Sequence, residues 1–302
     1  MKVIVTGATG FVGQWLVRKL LERGNEVAVI VRDKNRVPKE WAADVHMVEA
    51  TLESLKNLGT DDFPWKNADL FFHFAWAGTS GIERADEVLQ LKNVQAACDA
   101  VRLAGAIACR RFVYAGSIME YEAVKQIPKD YEKPAPGLLY STAKLTADFM
   151  AKTLSARENM DYINVIISNI YGPLESSPRF LNTTLKKMLK NETIPLTKGT
   201  QMYDFIYVTD AVEAMITAAE QGMANASYYI GNSKQRPLKE YILEMRDILD
   251  SRANLLFGEI PLKGTPLTYQ EFDTTKLERM GFVPKISFAE GIGLTRDWIL
   301  EG

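Results

Sequence analysis

The chain holds 302 residues, 47% apolar and 25% charged, with a formal net charge of −2. Its basic residues are scattered, which argues against nucleic acid or an anionic membrane as a partner. Cys98 and Cys109 lack metal-ligand spacing, His46 and His73 stand alone, and no apolar run reaches a membrane span, so the expectation is a metal-free cytoplasmic protein with both thiols reduced and buried, and no signal peptide ahead of a strand that begins at residue 2.

Residues 2–13 read KVIVTGATGFVG. Val3, Ile4 and Val5 predict a short strand buried on both faces. The glycines end it, and an apolar pattern of helical period starts at Phe11 and continues through Trp15, Leu16, Val17, Leu20 and Leu21. Strand, glycine turn and helix in this order suit a dinucleotide pyrophosphate. Residues without a Cβ let the backbone approach the anion, and the helix start presents free N–H groups and a positive dipole end. Gly7, Gly10 and Gly13 are spaced G-x-x-G-x-x-G, unlike the commoner G-x-G-x-x-G. The string TGATGFVG resembles the short-chain dehydrogenase/reductase superfamily, in its extended branch of nucleotide-sugar epimerases, dehydratases and reductases. The resemblance implies that Gly7, Thr9, Gly10, Phe11, Val12 and Gly13 surround the cofactor.

Strand-like segments at 26–31, 45–48, 70–74, 112–114 and 164–167 alternate with helical ones at 83–104 and 140–157. The alternation predicts an α/β fold, a doubly wound Rossmann-type parallel sheet. Residues 1–170 read as a dinucleotide-binding domain and 171–302 as a smaller substrate-binding region. A strand at 204–208 and a helix at 209–220 suggest that about 203–222 returns to the main sheet.

At the end of the second strand Val31 stands where NAD-using relatives carry an acid, and Arg32, Lys34 and Arg36 follow. Guanidinium groups match a 2′-phosphate in charge and geometry, which favours NADP, with NAD as the alternative. Asp33 can still turn toward a ribose. By the resemblance Thr51 and Leu52 lie at the adenine, with Thr51 replacing an aspartate, and Phe74, Ala75 and Trp76 lie beside the cofactor. Trp76 serves either core packing or one wall of the sugar pocket. Asn93 matches a helix asparagine of the family, set against the cofactor or tying helix to sheet.

Tyr140 and Lys144 lie four apart and share a helix face. Alone the pair says little. With Ser117 closing the 112–114 strand and Ala115 just before it, the set matches the family's catalytic order. The resemblance implies that Tyr140 exchanges a proton with a sugar hydroxyl or carbonyl, that Ser117 binds the same oxygen, and that Lys144 lowers the Tyr140 pKa and holds the nicotinamide ribose. Dehydratases of the family place an acid pair right after the serine; here Ile118 and Met119 stand there, and Glu120 is expected to point elsewhere. The string GSIMEY is closest to reductases of nucleotide-linked 4-keto-6-deoxy sugars.

Asn169, in SNIYGP, is implied as a contact to a nucleotide-diphosphate sugar. Tyr203 replaces the arginine expected at the pyrophosphate, and residues 265–270 hold no basic residue where a second one is usual. Arg179 either replaces that charge or is a solvated helix start. The implied function is NADPH-dependent reduction of a 4-keto(-6-deoxy) sugar. The alternatives are a UDP-sugar 4-epimerase with tightly bound NAD and a non-catalytic nucleotide sensor on the same fold. Relatives pair their two long helices across a two-fold axis, which implies a homodimer through faces bearing Val88, Leu91 and Val94 on one helix and Leu145, Phe149 and Leu154 on the other.

Overall fold

Six β-rich runs and four helices build the first half of the chain. The strands are β1 (Lys2–Thr6), β2 (Glu26–Val31), β3 (Val45–Glu49), β4 (Leu70–His73), β5 (Arg111–Ser117) and β6 (Asp161–Ile167), and the helices α1 (Phe11–Glu22), α2 (Glu87–Ala106), α3 (Glu120–Gln126) and α4 (Leu138–Arg157). The computed structural model describes residues 1–128, 133–262 and 267–301. Thr265 and Pro266, from the stretch without a basic residue, lie outside the described residues.

The second half opens with β7 (Asn169–Tyr171), α5 (Phe180–Leu189), β8 (Ile194–Leu196), β9 (Met202–Tyr203), β10 (Phe205–Tyr207), α6 (Val208–Gln221) and β11 (Ala226–Ile230). It closes with β12 (Arg236–Pro237), α7 (Leu238–Ile248), β13 (Leu255–Phe257) and α8 (Phe288–Glu301). The main sheet has seven parallel strands in the order β11-β6-β5-β4-β1-β2-β3.

Side chains alternate across this sheet as a doubly covered sheet requires. Val3, Val5, Val29, Phe72 and Val113 pack with Leu16 and Leu20 of α1 and Met215 of α6. Ile4, Ala28, Phe71, Phe112 and Tyr114 face the other way, toward Ala97 and Val101 of α2 and Ala147 and Ala151 of α4. Fully burying each large apolar side chain contributes about 1.5–3 kcal/mol, so both layers are held by the strands they cover. The small alanines let α2 and α4 lie close on the sheet and beside one another. Their outer faces leave Val88, Leu91, Phe149 and Met150 exposed, whereas Val94 and Leu154, expected on these faces, pack toward the sheet layer beneath.

Two expectations are corrected. The helix expected from residue 83 begins at Glu87, because the Asp86 carboxylate caps it by accepting from the Leu89 N–H at 2.9 Å. The strand expected at 204–208 does not join the main sheet: Phe205–Tyr207 pairs with β7, and the segment that returns is α6 followed by β11. Among the described residues no helix is long and apolar enough to cross a membrane.

Candidate active site

The strand order reverses between β1 and β4, and a parallel sheet opens its crevice there, beyond the carboxyl ends of the strands. Gly7 adopts φ +76°, and a Cβ on it would lie 2.7 Å from the Ala75 nitrogen. A Cβ on Gly13 would lie 2.0 Å from the Gly7 carbonyl oxygen. Backbone therefore fills the space that side chains would need. Gly10 ends the turn as the N-cap of α1 without a side-chain hydrogen bond, so the first-turn amides face the crevice. This cradle fits the diphosphate of a dinucleotide.

Two adjoining cavities, of about 340 and 520 Å³, share Gly7, Gly10, Phe11, Phe74 and Trp76. The first holds Thr9, Arg32, Arg36, Thr51, Leu52 and Ala75. The second holds Val12, Gly13, Ala115, Ser117, Tyr140 and Lys144. Its outer part carries Asn169, Arg179 and Tyr203. Asn93 lines neither: it is buried, and its amide accepts from Ala77 N–H and donates to Ala77 O, both at 2.9 Å. It ties α2 to the loop after β4. Thr51 caps the 3-10 turn Leu52–Asn57 with its hydroxyl. Asp33 caps its own turn, one carboxylate oxygen accepting the Asn35 N–H at 2.9 Å.

The reacting end rests on β5 and α4. Lys144 Nζ donates to Ala115 O at 2.9 Å and sits 3.7 Å from the centroid of the Trp76 ring. Trp76 is held by an Nε1–H bond to Gln90 at 2.9 Å and meets Tyr140 edge to face. It is thus a wall of the cavity as well as a packed side chain. The Ser117 hydroxyl oxygen accepts from the Met119 N–H at 3.2 Å.

Burial pushes the Tyr140 phenol up, against downward pulls from the Arg84 guanidinium, a hydrogen bond to Ser117 and Arg179. The expected lowering by Lys144 is not among these influences. Burial itself pushes the Lys144 ammonium down, partly offset by Glu120. At β4, His73 pairs with the Thr6 hydroxyl at 3.0 Å, and burial, then Lys144, push its pKa to about 3, so the imidazole is neutral.

Glu120 points away from the cavity, as expected, but it is not idle. It is 2% exposed, accepts the Ser117 N–H at 2.9 Å, and takes a bond from Asn164 Nδ2 at 3.3 Å. Burial and the neighbouring Asp148 push its carboxyl well above the usual range. Arg84 was outside the sequence-derived site altogether. It lines the reacting cavity from the 3-10 turn Gly81–Ala85. A helix drawn from residue 83 hides it, and the signal that would have exposed it is the capping aspartate Asp86.

On the far side of the cavity Phe180, Tyr203 and Phe205 form an aromatic wall, with ring centroids 6.4 Å and 5.5 Å apart in succession. Asn169 Nδ2 donates to Asp204 O at 3.1 Å. The arrangement can pass a proton from Tyr140 and a hydrogen bond from Ser117 to one oxygen, beside a cradle for a hydride-carrying dinucleotide.

Residues 3–231 match the family described as the NAD dependent epimerase/dehydratase family. The chain is 22% identical over 296 residues to CDP-abequose synthase of Salmonella muenchen, covering 96% of this chain and 95% of that protein. Its fold is similar to UDP-glucose 4-epimerase of Thermotoga maritima, solved with UDP-glucose (TM-score 0.80, 18% identity, 100% and 99% of the two chains). It is also similar to UDP-N-acetylglucosamine 4-epimerase of Methanobrevibacter ruminantium M1 (TM-score 0.81, 21% identity, 99% and 98%).

Proposed function

The chain belongs to the NAD-dependent epimerase/dehydratase family, and on that premise we propose that it reduces the 4-keto group of a nucleotide-diphosphate-linked sugar, 6-deoxy or not, with NADPH. The observation that carries this reading is the wall beside Ser117. Ile118 and Met119 line the cavity, Glu120 is turned inward, and among the described residues no carboxylate lines the reacting end. Elimination of water needs a group there to move a second proton. Oxidation and reduction need only Tyr140.

When bound, the reduced nicotinamide supplies the hydride. Tyr140 supplies the proton: with its pKa raised by burial it is protonated at neutral pH, the state a donor needs. Ser117 binds the same oxygen and orients the carbonyl. Lys144 holds Ala115 and, in this reading, the nicotinamide ribose. Arg32 and Arg36 at the adenosine end support NADPH. Residues 1–170 with the returning segment serve the cofactor, and the remainder serves the sugar. The exposed Val88, Leu91, Phe149 and Met150 support a homodimer through α2 and α4.

The test is turnover of NADPH with a panel of nucleotide-linked 4-keto sugars, followed by nicotinamide absorbance. Tyr140→Phe is expected to keep cofactor affinity and to lower kcat by about 10²–10⁴. Retention of most activity sinks the acid–base assignment. The likeness to 4-epimerases over the whole chain supports a second reading, a UDP-sugar 4-epimerase. Protein that purifies with bound NAD and interconverts 4-epimers without net reduction decides for it.

A further inference from the structure

Arg84 meets the catalytic tyrosine face on. Its guanidinium carbon lies 4.4 Å from the centroid of the Tyr140 ring. It makes no ion pair among the described residues, and its Nε is buried without a hydrogen-bond partner. The cation usually credited with stabilising such a tyrosine is engaged elsewhere: Lys144 is bonded to Ala115 O and lies on the Trp76 ring.

The groups that bear on the Tyr140 hydroxyl come from every neighbouring element. Ser117 reaches it from β5, Arg84 from the turn before α2, Arg179 from the start of α5, and Glu120 acts from behind β5. Arg179 is already paired with Glu175 at 3.6 Å. A phenolate spreads its charge into the ring, so a planar cation stacked on the ring face stabilises it directly.

We propose that Arg84 is a positioning residue that supplies the stabilising charge for the Tyr140 phenolate, leaving Lys144 to hold the backbone and the cofactor. The proposal rests on Tyr140 as the proton donor. In the reductive direction the sugar C4 accepts a hydride from the reduced nicotinamide, the carbonyl π pair moves to oxygen, and that oxygen takes the Tyr140 proton. The electron pair of the broken O–H bond stays on Tyr140, facing Arg84.

The experiment reads Tyr140 itself and needs no sugar. The full chain is prepared with ¹³Cζ-labelled tyrosine, and the Tyr140 resonance is identified by its loss in Tyr140→Phe. Alkaline titration by NMR then gives its midpoint. Arg84→Gln is expected to raise the midpoint by about one pH unit, a tenfold change in the ionisation constant. Arg84→Lys should restore part of the shift, because it returns the charge without the flat stacking face. Lys144→Met should move the midpoint less than Arg84→Gln does. A midpoint unmoved by Arg84→Gln, one moved as far by Lys144→Met, or a resonance that titrates in neither protein overturns the proposal. A shift with Arg84→Gln alongside full turnover by Tyr140→Phe leaves the charge pairing of Arg84 with Tyr140 standing but removes its catalytic use together with the proton-donor reading.

Discussion

Gly13 sets two physical arguments against each other. It lies inside α1, where alanine is favoured over glycine by about 1 kcal/mol on helix propensity alone. On that ground Gly13→Ala stabilises. Packing predicts the reverse. The added Cβ would sit 2.0 Å from the Gly7 oxygen, 2.8 Å from the Gly7 carbon and 3.0 Å from the Ala8 Cα. Carbon approaches a carbonyl oxygen to only about 3.3 Å, so helix and turn must separate by roughly 1.3 Å. Every atom met is backbone, and no rotamer change relieves the clash. Overpacking of this kind costs about 1–3 kcal/mol, enough to cancel or exceed the propensity gain. The same displacement moves the turn amides away from a bound diphosphate, and misplacement by about 1 Å weakens such sites by up to about 10²-fold. Gly293, in α8, is the control: a Cβ there has no atom within 4 Å, and Gly293→Ala should stabilise by about 0.5–1 kcal/mol. Urea unfolding followed by tryptophan fluorescence measures stability, and NADH and NADPH titrations measure binding. If Gly13→Ala is stabilised as Gly293→Ala is and binds both dinucleotides as the parent does, the close-approach argument is wrong.

Arg32→Ala should weaken NADPH by about tenfold while leaving NADH nearly unchanged, since only the former offers a 2′-phosphate; tighter parental binding of NADH by calorimetry removes that assignment. His73 titrates at about 3 when folded against 6.5 ordinarily, so the unfolded chain takes its proton first and stability fades as pH falls below 6.5. The loss from pH 7 to pH 5 is about 2 kcal/mol, and His73→Asn should flatten that part of the urea-midpoint profile; an unchanged slope refutes it. Phe149→Glu places a charge on the exposed apolar face of α4 and should give monomers by light scattering, whereas a parent that is monomeric at every concentration contradicts the dimer.

The parallel sheet was legible because its signals are local. Val3–Val5 and the 26–31 run are β-branched, and the glycine turn between Thr6 and Phe11 permits one geometry. Ser117, Tyr140 and Lys144 came together because strand end and helix face are both periodic features. What stayed hidden depended on single side-chain bonds. Asp86 starts α2 four residues later than the apolar period suggests, and that shift carries Arg84 from a helix surface into the cavity. Strand β10 looked like a sheet member, yet its partner β7 follows directly on β6 and bends away with the substrate side. The electrostatics of Tyr140 were also beyond the pattern, since burial and Arg84 arise only from tertiary packing.

The way Ser117 is anchored bears on how such proteins diverge. Its amide is held by the Glu120 carboxylate from inside the protein, and its hydroxyl by the main-chain N–H of Met119. Neither bond uses the side chain of residue 118 or 119, although both residues line the cavity. The serine therefore keeps its anchors whatever side chain stands at either position, although Ile118, 8% exposed, also packs with Ile166, Tyr229 and Phe272, and Met119 packs against that cluster. An acid at 118 would have to be accommodated within that apolar cluster, so a new proton-transfer group there asks for repacking behind the strand rather than for a new strand.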